Sequence, residues 1–478
     1  LEISALGRWI ATRWAHAGWI GIGPAGELHM LAASIGGNDL QGRASRFAGR
    51  GGLGAVMGSK ALKAIVFDPG VGVKQGWGEV WLGDRELFAS GIDRVLDALR
   101  SHPNTSQLLP RYGTVTNTDV LNAIGGLPTH NFRSGTFAGA ERIGSDAVQS
   151  LQGRRSKRGV SCTPGCVIGC VNQIRLDDGT TDGAHGTADA PGGVVERGSV
   201  QLADGVHKAN GVHKAEGSDG RAEPAGRTLA GLEYQSLFSF GSNCGIAEIG
   251  QILELNRRCN ELGVDTLEVG AAIAITMEQG LLPFGDGKGS LRLIDEIEQG
   301  SPLGRVLAAG AEVAGKVFGA WRVPTIKGLA LPGFDPRVTE KTAEVLRTSP
   351  MGADHTAVYP LPEALADGEL PPPLREVAEA EGLDMYEALQ AYTTWLDSSG
   401  FCLFTSQACL EVPGALDGVL ALVGGLTGTP LYLSEAVNAG LATLQSERAF
   451  NRAAGITEVS DRLPEFLRPG ADRGPDVR

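Results

Sequence analysis

Cysteine, positive charge and long apolar runs are all scarce in this sequence of 478 residues. Seven cysteines are an odd and low number for such a length, which argues against a secreted disulfide framework and favours a reducing compartment. The excess of 55 Asp and Glu over 42 Lys and Arg gives a net charge of -13, so nucleic acid and anionic membranes are poor candidate partners. No apolar run reaches the ~18 residues of a membrane span. We therefore expect a soluble, cytoplasmic protein of roughly two to four domains.

Helical periodicity dominates the chain after its first 70 residues or so. Apolar residues recur at spacings of three and four in RELFASGIDRVLDALRSH, IAEIGQILELNRRCNELG, TLEVGAAIAITMEQGLL, SPLGRVLAAGAEVAGKVFG and LREVAEAEGLDMYEALQAYTTWL. The preceding part is Gly-rich and strand-like, with IGIGPAGE and AIVF as short apolar runs bounded by turns. The pattern predicts an α+β protein that is mainly α, with a β-rich part at its front.

Residues 176–228 have a different composition, rich in Gly and Asp and nearly free of aromatic side chains. Such a segment cannot bury enough apolar surface to offset its ordering entropy, so we predict a flexible surface insertion. His207 and His213 in its tandem GVHKANGVHKAEG are interpreted as solvated and not as a metal pair, because nothing nearby would orient their rings. The terminal RPGADRGPDVR is expected to fray.

Three of the few cysteines stand together in SCTPGCVIGC, which places Cys162, Cys166 and Cys170 four residues apart. Pro164 and Gly165 interrupt any helix, so the segment is predicted to be a loop. Three thiolates in a loop are typical of an iron–sulfur cluster or zinc, each of which needs a fourth ligand. Gly and Pro between the cysteines fit poorly with the alternative of three small core residues. The spacing leaves four candidates for the fourth ligand: Cys244, Cys259, Cys402 and Cys409.

Two other segments, LNRRCNELGVDT and TTWLDSSGFCLF, share one pattern. Each has Asn or Asp, two residues, Gly, an apolar residue, and then Asp or Cys. Each ends a helix-like run at a Gly, as a C-terminal cap does, and leaves polar groups free to meet a ligand. Two copies of one turn indicate a ligand with two similar halves.

At this point the sequence resembles a known family. AGRGGLGAVMGSKALKAI (48–65) is similar to the signature segment of the tungsten-containing aldehyde ferredoxin oxidoreductase family. The resemblance continues, in the family's order, through IGPAGE (22–27), LPTHNFRSGTF (127–137), the cysteine loop, GLEYQS (231–236), GSNCGI (241–246), CNELGVDT (259–266), KGLALPGFDPR (327–337), MGADH (351–355) and LDSSGFCLF (396–404). It implies a remnant of a β-rich pterin-binding domain over 1–72 and two α-helical domains over 73–330 and 331–478.

The resemblance also implies the site. It assigns a [4Fe–4S] cluster to Cys162, Cys166, Cys170 and Cys402, and two pterins to the two turns. The implied cofactor is a bis-molybdopterin carrying tungsten or molybdenum, with Mg bridging the pterin phosphates. The implied pterin contacts are Arg50, Gly51, Gly52, Asn260, Val264, Asp265, Asp397 and Phe401. His355 and Glu233 are the implied acid/base residues near the metal.

The implied reaction oxidises an aldehyde to a carboxylic acid and passes electrons through the cluster to ferredoxin or a similar acceptor. Two alternatives stay open: a related tungsten enzyme subunit, such as an aromatic acyl-CoA reductase, and a truncated non-catalytic relative whose cluster or zinc is only structural. A homodimer is the default assembly.

Several residues depart from the family pattern. Asn260 and Gln235 stand where the family commonly has Asp and Glu, and the loop has three residues between its first two cysteines where two are usual. Family members also carry well over a hundred residues before IGPAGE, whereas this sequence begins at Leu1 with a Trp-rich stretch that looks unrelated to them. We therefore expect most of the N-terminal domain to be missing from this chain.

Overall fold

The computed structural model describes residues 1–68, 82–151, 159–163, 165–176, 202–203, 206–207, 228–359 and 368–468. Helices dominate it, as the periodicity predicts. The α-helices are α1 (Ile3–Ala11), α2 (Pro24–Glu27), α3 (Leu53–Ser59), α4 (Arg85–Ser101), α5 (Leu109–Tyr112), α6 (Thr116–Ile124), α7 (Ser145–Leu151), α8 (Tyr234–Phe240), α9 (Ile249–Leu262), α10 (Thr266–Glu278), α11 (Gly287–Gln299), α12 (Pro302–Leu307), α13 (Ala311–Phe318), α14 (Glu340–Thr348), α15 (Pro372–Glu381), α16 (Met385–Ser398), α17 (Ser406–Glu411), α18 (Ala415–Thr427) and α19 (Leu433–Ala453). A π-helical turn covers Asn104–Leu108 and a 3₁₀ turn covers Leu403–Thr405.

The strands are short. They are β1 (Gly18–Ile22), β2 (Ile35–Asn38), β3 (Ala44–Ala48), β4 (Ala64–Phe67), β5 (Gln173–Leu176), β6 (Leu202–Ala203), β7 (Val206–His207), β8 (Thr228–Gly231), β9 (Thr325–Ile326) and β10 (Leu329–Ala330). The first four form one antiparallel sheet in the order β3-β2-β1-β4, and the others form two-stranded pairs. The predicted β-rich front part is thus a four-stranded sheet.

One face of this sheet is covered and the other carries apolar side chains into solvent. Helix α1 packs Ile3, Leu6 and Ile10 with Trp19 of β1 on the covered face. On the other face Ile20 lies opposite Ile65 in the ladder, and both are about half exposed. AIVF forms β4 as predicted, whereas PAGE begins a short helix because Pro24 occupies its first position.

Three of the five helix-like segments form one helix each, namely α4, α9 and α10. The other two each contain a break. Gly310, at φ +93°, separates α12 from α13. Gly382, at φ +69°, ends α15, and Asp384 then begins α16 with a reciprocal capping box to Glu387. Apolar spacing continues across both breaks, so periodicity alone does not reveal them.

The described residues pack into two large cores. The first centres on α8, α9 and α10. The second joins residues 95–109 and 168–171 to residues 345–444, and α4 lies so close to α18 that a Cβ on Gly91 would stand 2.7 Å from the Gly418 carbonyl oxygen. This core therefore combines segments from both sides of residue 330, and the domain boundary at that residue stays a prediction.

Most of the predicted insertion over 176–228, including His213, lies outside the described residues, as does the tail beyond residue 468. The backbone of His207 belongs to β7. Among the helices of the described part, none combines the length and apolar character needed to cross a membrane.

Candidate functional site

The cysteine-rich segment is a loop, as predicted, and its ends are tied together. Val160 and Val171 form an isolated antiparallel bridge with N···O distances of 3.0 and 3.3 Å. Gly165 and Gly169 both have positive φ, and the Ser161 hydroxyl donates to the Cys166 carbonyl oxygen at 3.1 Å. The loop is therefore built from backbone turns that only glycine adopts readily.

The structure brings Cys402 to this loop. Burial raises the pKa of the Cys170 thiol, and Glu233, Cys402, Cys162 and Cys166 raise it further through their charges. Burial and the charges of Cys162 and Cys166 likewise raise the pKa of Cys402, against hydrogen bonds from the Phe404 and Thr405 backbone. These interactions place the four thiols within electrostatic reach of one another.

The other three cysteines lie in the two hydrophobic cores. Cys244 and Cys259 are buried in the first core, and Cys409 is buried on α17 in the second. Of the four candidates for a fourth ligand, Cys402 is the one that acts on Cys170.

No group of three or more His, Cys, Asp or Glu in the described ranges is spaced to hold a single metal ion. Zinc would need its thiolates at about 2.3 Å from one centre. A [4Fe–4S] cluster instead binds each of four thiolates to a different iron, so its thiolates stand further apart. Four cysteine thiols are the donor set both of a [4Fe–4S] cluster and of a Cys₄ zinc site.

The two predicted turns have the same hydrogen bonds. In the first, the N–H groups of Gly263 and Val264 donate to the carbonyl oxygens of Asn260 and Cys259 at 3.1 and 3.0 Å. In the second, Gly400 and Phe401 donate to Asp397 and Leu396 at 3.0 and 3.2 Å. The glycines have φ of +69° and +78°. Both are Schellman motifs, which confirms the prediction of two helix C-caps.

Each turn leads directly into another helical segment. Asp265 caps α10 by accepting from the Leu267 N–H at 2.9 Å. Cys402 stands at the equivalent position before the 3₁₀ turn. The shared pattern therefore positions a carboxylate in one copy and a thiol in the other.

The first turn packs against the N-terminal part of the chain. The Ser34 N–H donates to the Gly263 carbonyl oxygen at 2.8 Å, and the Asp265 N–H donates to the Ala32 carbonyl oxygen at 2.9 Å. A Cβ on Gly23 would lie 2.3 Å from the Leu262 carbonyl oxygen, so the two backbones touch. The N-terminal part of the chain is therefore in direct backbone contact with the first turn.

Arg50 joins this region to the rest of the site. Its guanidinium donates to the carbonyl oxygens of Ala330 and Ala353, both at 2.7 Å, and pairs with Asp265 at 3.3 Å and Glu268 at 3.4 Å. All three charged side chains are less than one tenth exposed. Burial raises the pKa of Asp265 while Arg50 opposes the shift. Arg50 thus positions the first turn and the loop before His355, and its predicted contact with the cofactor stays a prediction.

Gly51 and Gly52 follow with φ of +88° and +71°, and α3 begins directly after them. A Cβ on Gly52 would lie 2.4 Å from the Leu31 carbonyl oxygen, so no larger residue fits there without backbone movement. Their role in a pterin and phosphate cradle stays a prediction.

The surroundings of His355 favour the neutral form of its imidazole. Burial lowers its pKa to about 4; Asp354 opposes this shift and Arg50 adds to it. Its Nδ1 is buried, stands 3.9 Å from the nearest Asp354 oxygen and has no hydrogen-bond partner in the described part of the chain. Since it is unprotonated near neutral pH, His355 can accept a proton.

The pKa of Glu233 shifts in the opposite direction to that of His355. Burial raises its pKa, against a 2.7 Å hydrogen bond from the Thr114 hydroxyl and the charge of Arg46. Its charge also acts on Cys170. Burial beside the thiols therefore favours the protonated form of Glu233 more than solvent would.

The second turn borders a cavity of about 190 Å³ lined by three carboxylates, those of Asp354, Asp397 and Glu447, and by several hydroxyl groups. Burial and Asp354 raise the pKa of Asp397 to about 6. A larger cavity of about 780 Å³ lies between α4, α15 and α18 and touches none of the predicted site residues.

Three polar atoms at the site are buried without a hydrogen-bond partner among the described residues: Ser34 Oγ, Arg46 Nε and His355 Nδ1. Ser34 bonds to the first turn, and Arg46 acts on Glu233. Buried polar groups normally have partners, so these atoms fit a site that receives a polar group. Together with the four thiols they are suited to a pterin cofactor and a cluster.

Gln235 and Asn260, the two residues that differ from the family pattern, have different surroundings. Gln235 accepts from the Gly333 N–H at 2.9 Å through Oε1, which a carboxylate oxygen would also do. The Asn260 side chain makes no hydrogen bond to the described residues, so it is available to a ligand.

Sequence reasoning missed Arg46, Thr114, Glu268 and Tyr359. Arg46 stands four residues before Arg50 in a strand, which is a weak signal. The pairs Glu268–Arg50, Thr114–Glu233 and Tyr359–Asn104 are 218, 119 and 255 positions apart, so no local pattern links their members.

Taken together, these elements define a mainly helical protein in which the thiol loop meets the second of two matched helix ends. Its fold is shared with the active site complex BamBC of benzoyl coenzyme A reductase in complex with 1,5-dienoyl-CoA. That structure aligns with a TM-score of 0.64 at 16% identity, over 98% of this chain and 70% of that chain.

Family models match nearly the whole chain. The model for aldehyde ferredoxin oxidoreductase domains 2 and 3 covers residues 91–476, and the model for the N-terminal domain covers residues 1–69. The chain belongs to the aldehyde ferredoxin oxidoreductase family. The match from residue 1 corrects our interpretation of the Trp-rich opening stretch as unrelated: helix α1 is part of the N-terminal domain.

Two similar curated proteins carry the name of the same family. The tungsten-containing aldehyde ferredoxin oxidoreductase of Pyrococcus furiosus is 28% identical over 473 residues, and that of Pyrococcus horikoshii is 29% identical over 475 residues. Each alignment covers 95% of this chain and 67% of the relative. The chain thus spans about two thirds of the length of these relatives.

Proposed function

We propose that the chain oxidises an aldehyde to a carboxylic acid at a tungsten bis-pterin centre and passes the electrons through a [4Fe–4S] cluster to ferredoxin or a similar acceptor. The observation that carries the proposal is that the thiol loop and the second turn meet through Cys402, in a member of this family. In this proposal the cluster and one pterin would be adjacent, as electron transfer between them requires.

The proposed ligands are those that the family resemblance implies. Cys162, Cys166, Cys170 and Cys402 would hold the cluster. The two turns would hold the pterins, with Asn260, Val264 and Asp265 at one and Asp397 and Phe401 at the other. Carboxylate and amide oxygens suit the N–H groups of a pterin ring, while Gly51 and Gly52 let the backbone approach closely.

When bound, the metal centre supplies the two-electron oxidation of the substrate. The protein residues act on protons and position. The low pKa of His355 favours the neutral ring, which would accept, at the nitrogen that carries no hydrogen, a proton released as the aldehyde and water become the acid. Glu233 is the second proposed acid/base group, on the side that faces the thiols, and burial raises its pKa. Arg50 keeps the His355 loop and Asp265 at fixed positions.

The first test is metal analysis with a visible absorption spectrum, on protein purified without oxygen from cells supplied with tungstate. We expect about four iron and one tungsten per chain. Iron without tungsten would show that the thiol loop folds as proposed while the pterin site does not form. Zinc, or no metal at all, would contradict the catalytic proposal.

A second test addresses the base. His355→Gln should lower aldehyde oxidation by about 10²–10⁴-fold while iron and tungsten stay at wild-type levels. His16→Gln is the matched control, because His16 is exposed and is not one of the proposed site residues. Equal activity in both variants would remove His355 from the mechanism.

A subunit of an aromatic acyl-CoA reductase is the second candidate, because the fold is shared with BamBC. That function would require a partner subunit for activity. Aldehyde oxidation by the purified chain alone would separate the two functions.

A further inference from the structure

The hairpin of β9 and β10 has an unfavourable residue at its turn. Its two central residues, Lys327 and Gly328, have φ of +53° and +80°. Two-residue hairpin turns with positive φ at both positions favour Asn, Asp or Gly at the first of them, so a lysine is strained there. Such strain persists only where the surroundings hold the residue in place, and it is common at functional sites. The backbone strain at Lys327 is thus offset by the contacts of its side chain.

Three acceptors surround the ammonium group of Lys327. Its Nζ donates to the carbonyl oxygens of Arg347 and Ser349 at 2.7 and 2.9 Å, and it pairs with Asp461. An ammonium has three hydrogens, so all of its donors are used. The side chain is only 5% exposed, and both carbonyls lie at the C-terminal end of α14, where the helix dipole favours a cation. Lys327 is therefore a buried anchor for this helix end.

The anchored Ser349 carbonyl begins the loop that carries His355. The Gly352 N–H donates to the Ser349 carbonyl oxygen at 3.1 Å, and the Asp354 N–H donates to the Gly352 carbonyl oxygen at 2.6 Å. A Cβ on Gly352 would stand 2.6 Å from the Ile326 carbonyl oxygen, so the loop backbone lies directly against the hairpin. Two consecutive hydrogen bonds thus connect the anchored carbonyl to the residue before His355.

Two further side chains hold the same loop from other directions. Asn451 Nδ2, on α19, donates to the Pro350 carbonyl oxygen at 2.7 Å. Arg50, in the N-terminal part of the chain, donates to the Ala353 carbonyl oxygen at the same distance of 2.7 Å. Long polar side chains from three separate segments therefore bind the backbone of residues 349, 350 and 353. The loop is held both at its start and at its end.

We propose that Lys327 and Asn451 are positioning residues, which hold the carbonyl oxygens of Ser349 and Pro350 so that the loop presents His355 to the substrate. The inference rests on the proposed function, in which His355 accepts a proton. A displacement of about 1 Å at such a group lowers a rate by as much as about 10²-fold. The loss falls on the chemical step and not on substrate binding, because the base acts in the transition state.

The experiment compares the steady-state kinetics of aldehyde oxidation by the holoprotein in wild type and Lys327→Met. We expect kcat to fall about 10-fold to 100-fold, with KM, iron and tungsten as in wild type. Burial lowers the pKa of His355 to about 4, with Asp354 opposing the shift and Arg50 adding to it. A loosened loop admits water to the ring and raises this pKa, so the acid limb of kcat/KM against pH should move to higher pH.

Three matched variants separate positioning from stability. Asp461→Asn removes the charge partner of Lys327 but leaves the ammonium with both carbonyl bonds, so it should lower the free energy of unfolding and leave kcat unchanged. Lys341→Met removes a lysine that donates to the Gly368 carbonyl oxygen at 2.9 Å and not to the loop, so kcat should also be unchanged. Asn451→Leu should lower kcat by less than Lys327→Met, because Lys327 still holds Ser349.

An unchanged kcat in Lys327→Met, with metal content as in wild type, would overturn the inference and leave the proposed function standing. An equal fall of kcat in Asp461→Asn would also overturn it, because lost stability would then explain both variants. If Lys327→Met loses its metals, an unchanged kcat in Asn451→Leu overturns the inference instead. If His355→Gln is as active as wild type, the proposed base and this inference fail together.

Discussion

The two Schellman turns have one sequence pattern and one set of hydrogen bonds, but their surroundings differ. The turn at Gly263 is enclosed: Ser34 and Ala32 bond to it, and Asp265 is paired with buried Arg50. The turn at Gly400 is open, with an exposed Cys402 and an Asp397 that has no partner in the described part of the chain. Local sequence determines the turn, and the packing around it decides whether it serves as a support or as a junction to the thiol loop.

The largest effect is expected at the open turn. Cys402→Ala should abolish the visible absorption of the cluster and lower iron far below the level of about four per chain. Cys409→Ala removes a buried thiol from the neighbouring helix and should retain the iron. If both variants retain it, the fourth ligand has been assigned wrongly.

At the enclosed turn, Arg50→Met would leave Asp265 and Glu268 buried without a cation. Removing one partner of such a network costs about 3–5 kcal/mol of unfolding free energy. Urea denaturation should show the loss. The control is Lys316→Met, which breaks an exposed pair with Glu312 and should change stability by about 0–1 kcal/mol. Equal changes would mean that the Arg50 network does not support the fold.

The two glycines allow a direct comparison of the turns. Placing Ala in the left-handed region costs about 1–2 kcal/mol at either position. A Cβ on Gly263 would also stand 2.9 Å from the Gly23 nitrogen, whereas a Cβ on Gly400 meets nothing within 4 Å. Gly263→Ala should therefore destabilise the chain more than Gly400→Ala in the same denaturation assay. The reverse order would contradict the enclosed position of the first turn.

The smallest effect concerns pH. Because the pKa of Asp397 is raised to about 6 in the folded state, the folded chain binds more protons than the unfolded chain between about pH 4 and 6, and stability falls across that range as pH rises. Asp397→Asn should flatten this fall and make the apoprotein slightly more stable above pH 6. It should also weaken binding at the second turn. Denaturation of both proteins at pH 4.5 and 7.5 tests the sign.

Much of this site could be predicted from the sequence because its parts are local. The spacing of Cys162, Cys166 and Cys170 and the Gly of each C-cap are visible within a dozen residues. Resemblance to the family added Cys402 as the fourth thiol. The breaks at Gly310 and Gly382 escaped because apolar spacing runs across them.

The long-range contacts could not be predicted. Arg50 bonds to residues that lie 215 to 303 positions away. The Asn104 side chain likewise donates to the Tyr359 hydroxyl across 255 positions. No periodicity or motif encodes such a pairing, since each partner comes from a different helix or loop. These contacts follow from the packing of the two cores.

That packing has a consequence for synthesis. Helix α4 finds its partner α18 only after about 300 more residues have been made, which takes roughly 15 to 60 seconds at about 5–20 residues per second. During this interval the face that carries Val95 and Leu99 has no counterpart from α18. The second core is therefore expected to form after translation, and the nascent chain is expected to depend on chaperones until α18 has left the ribosome.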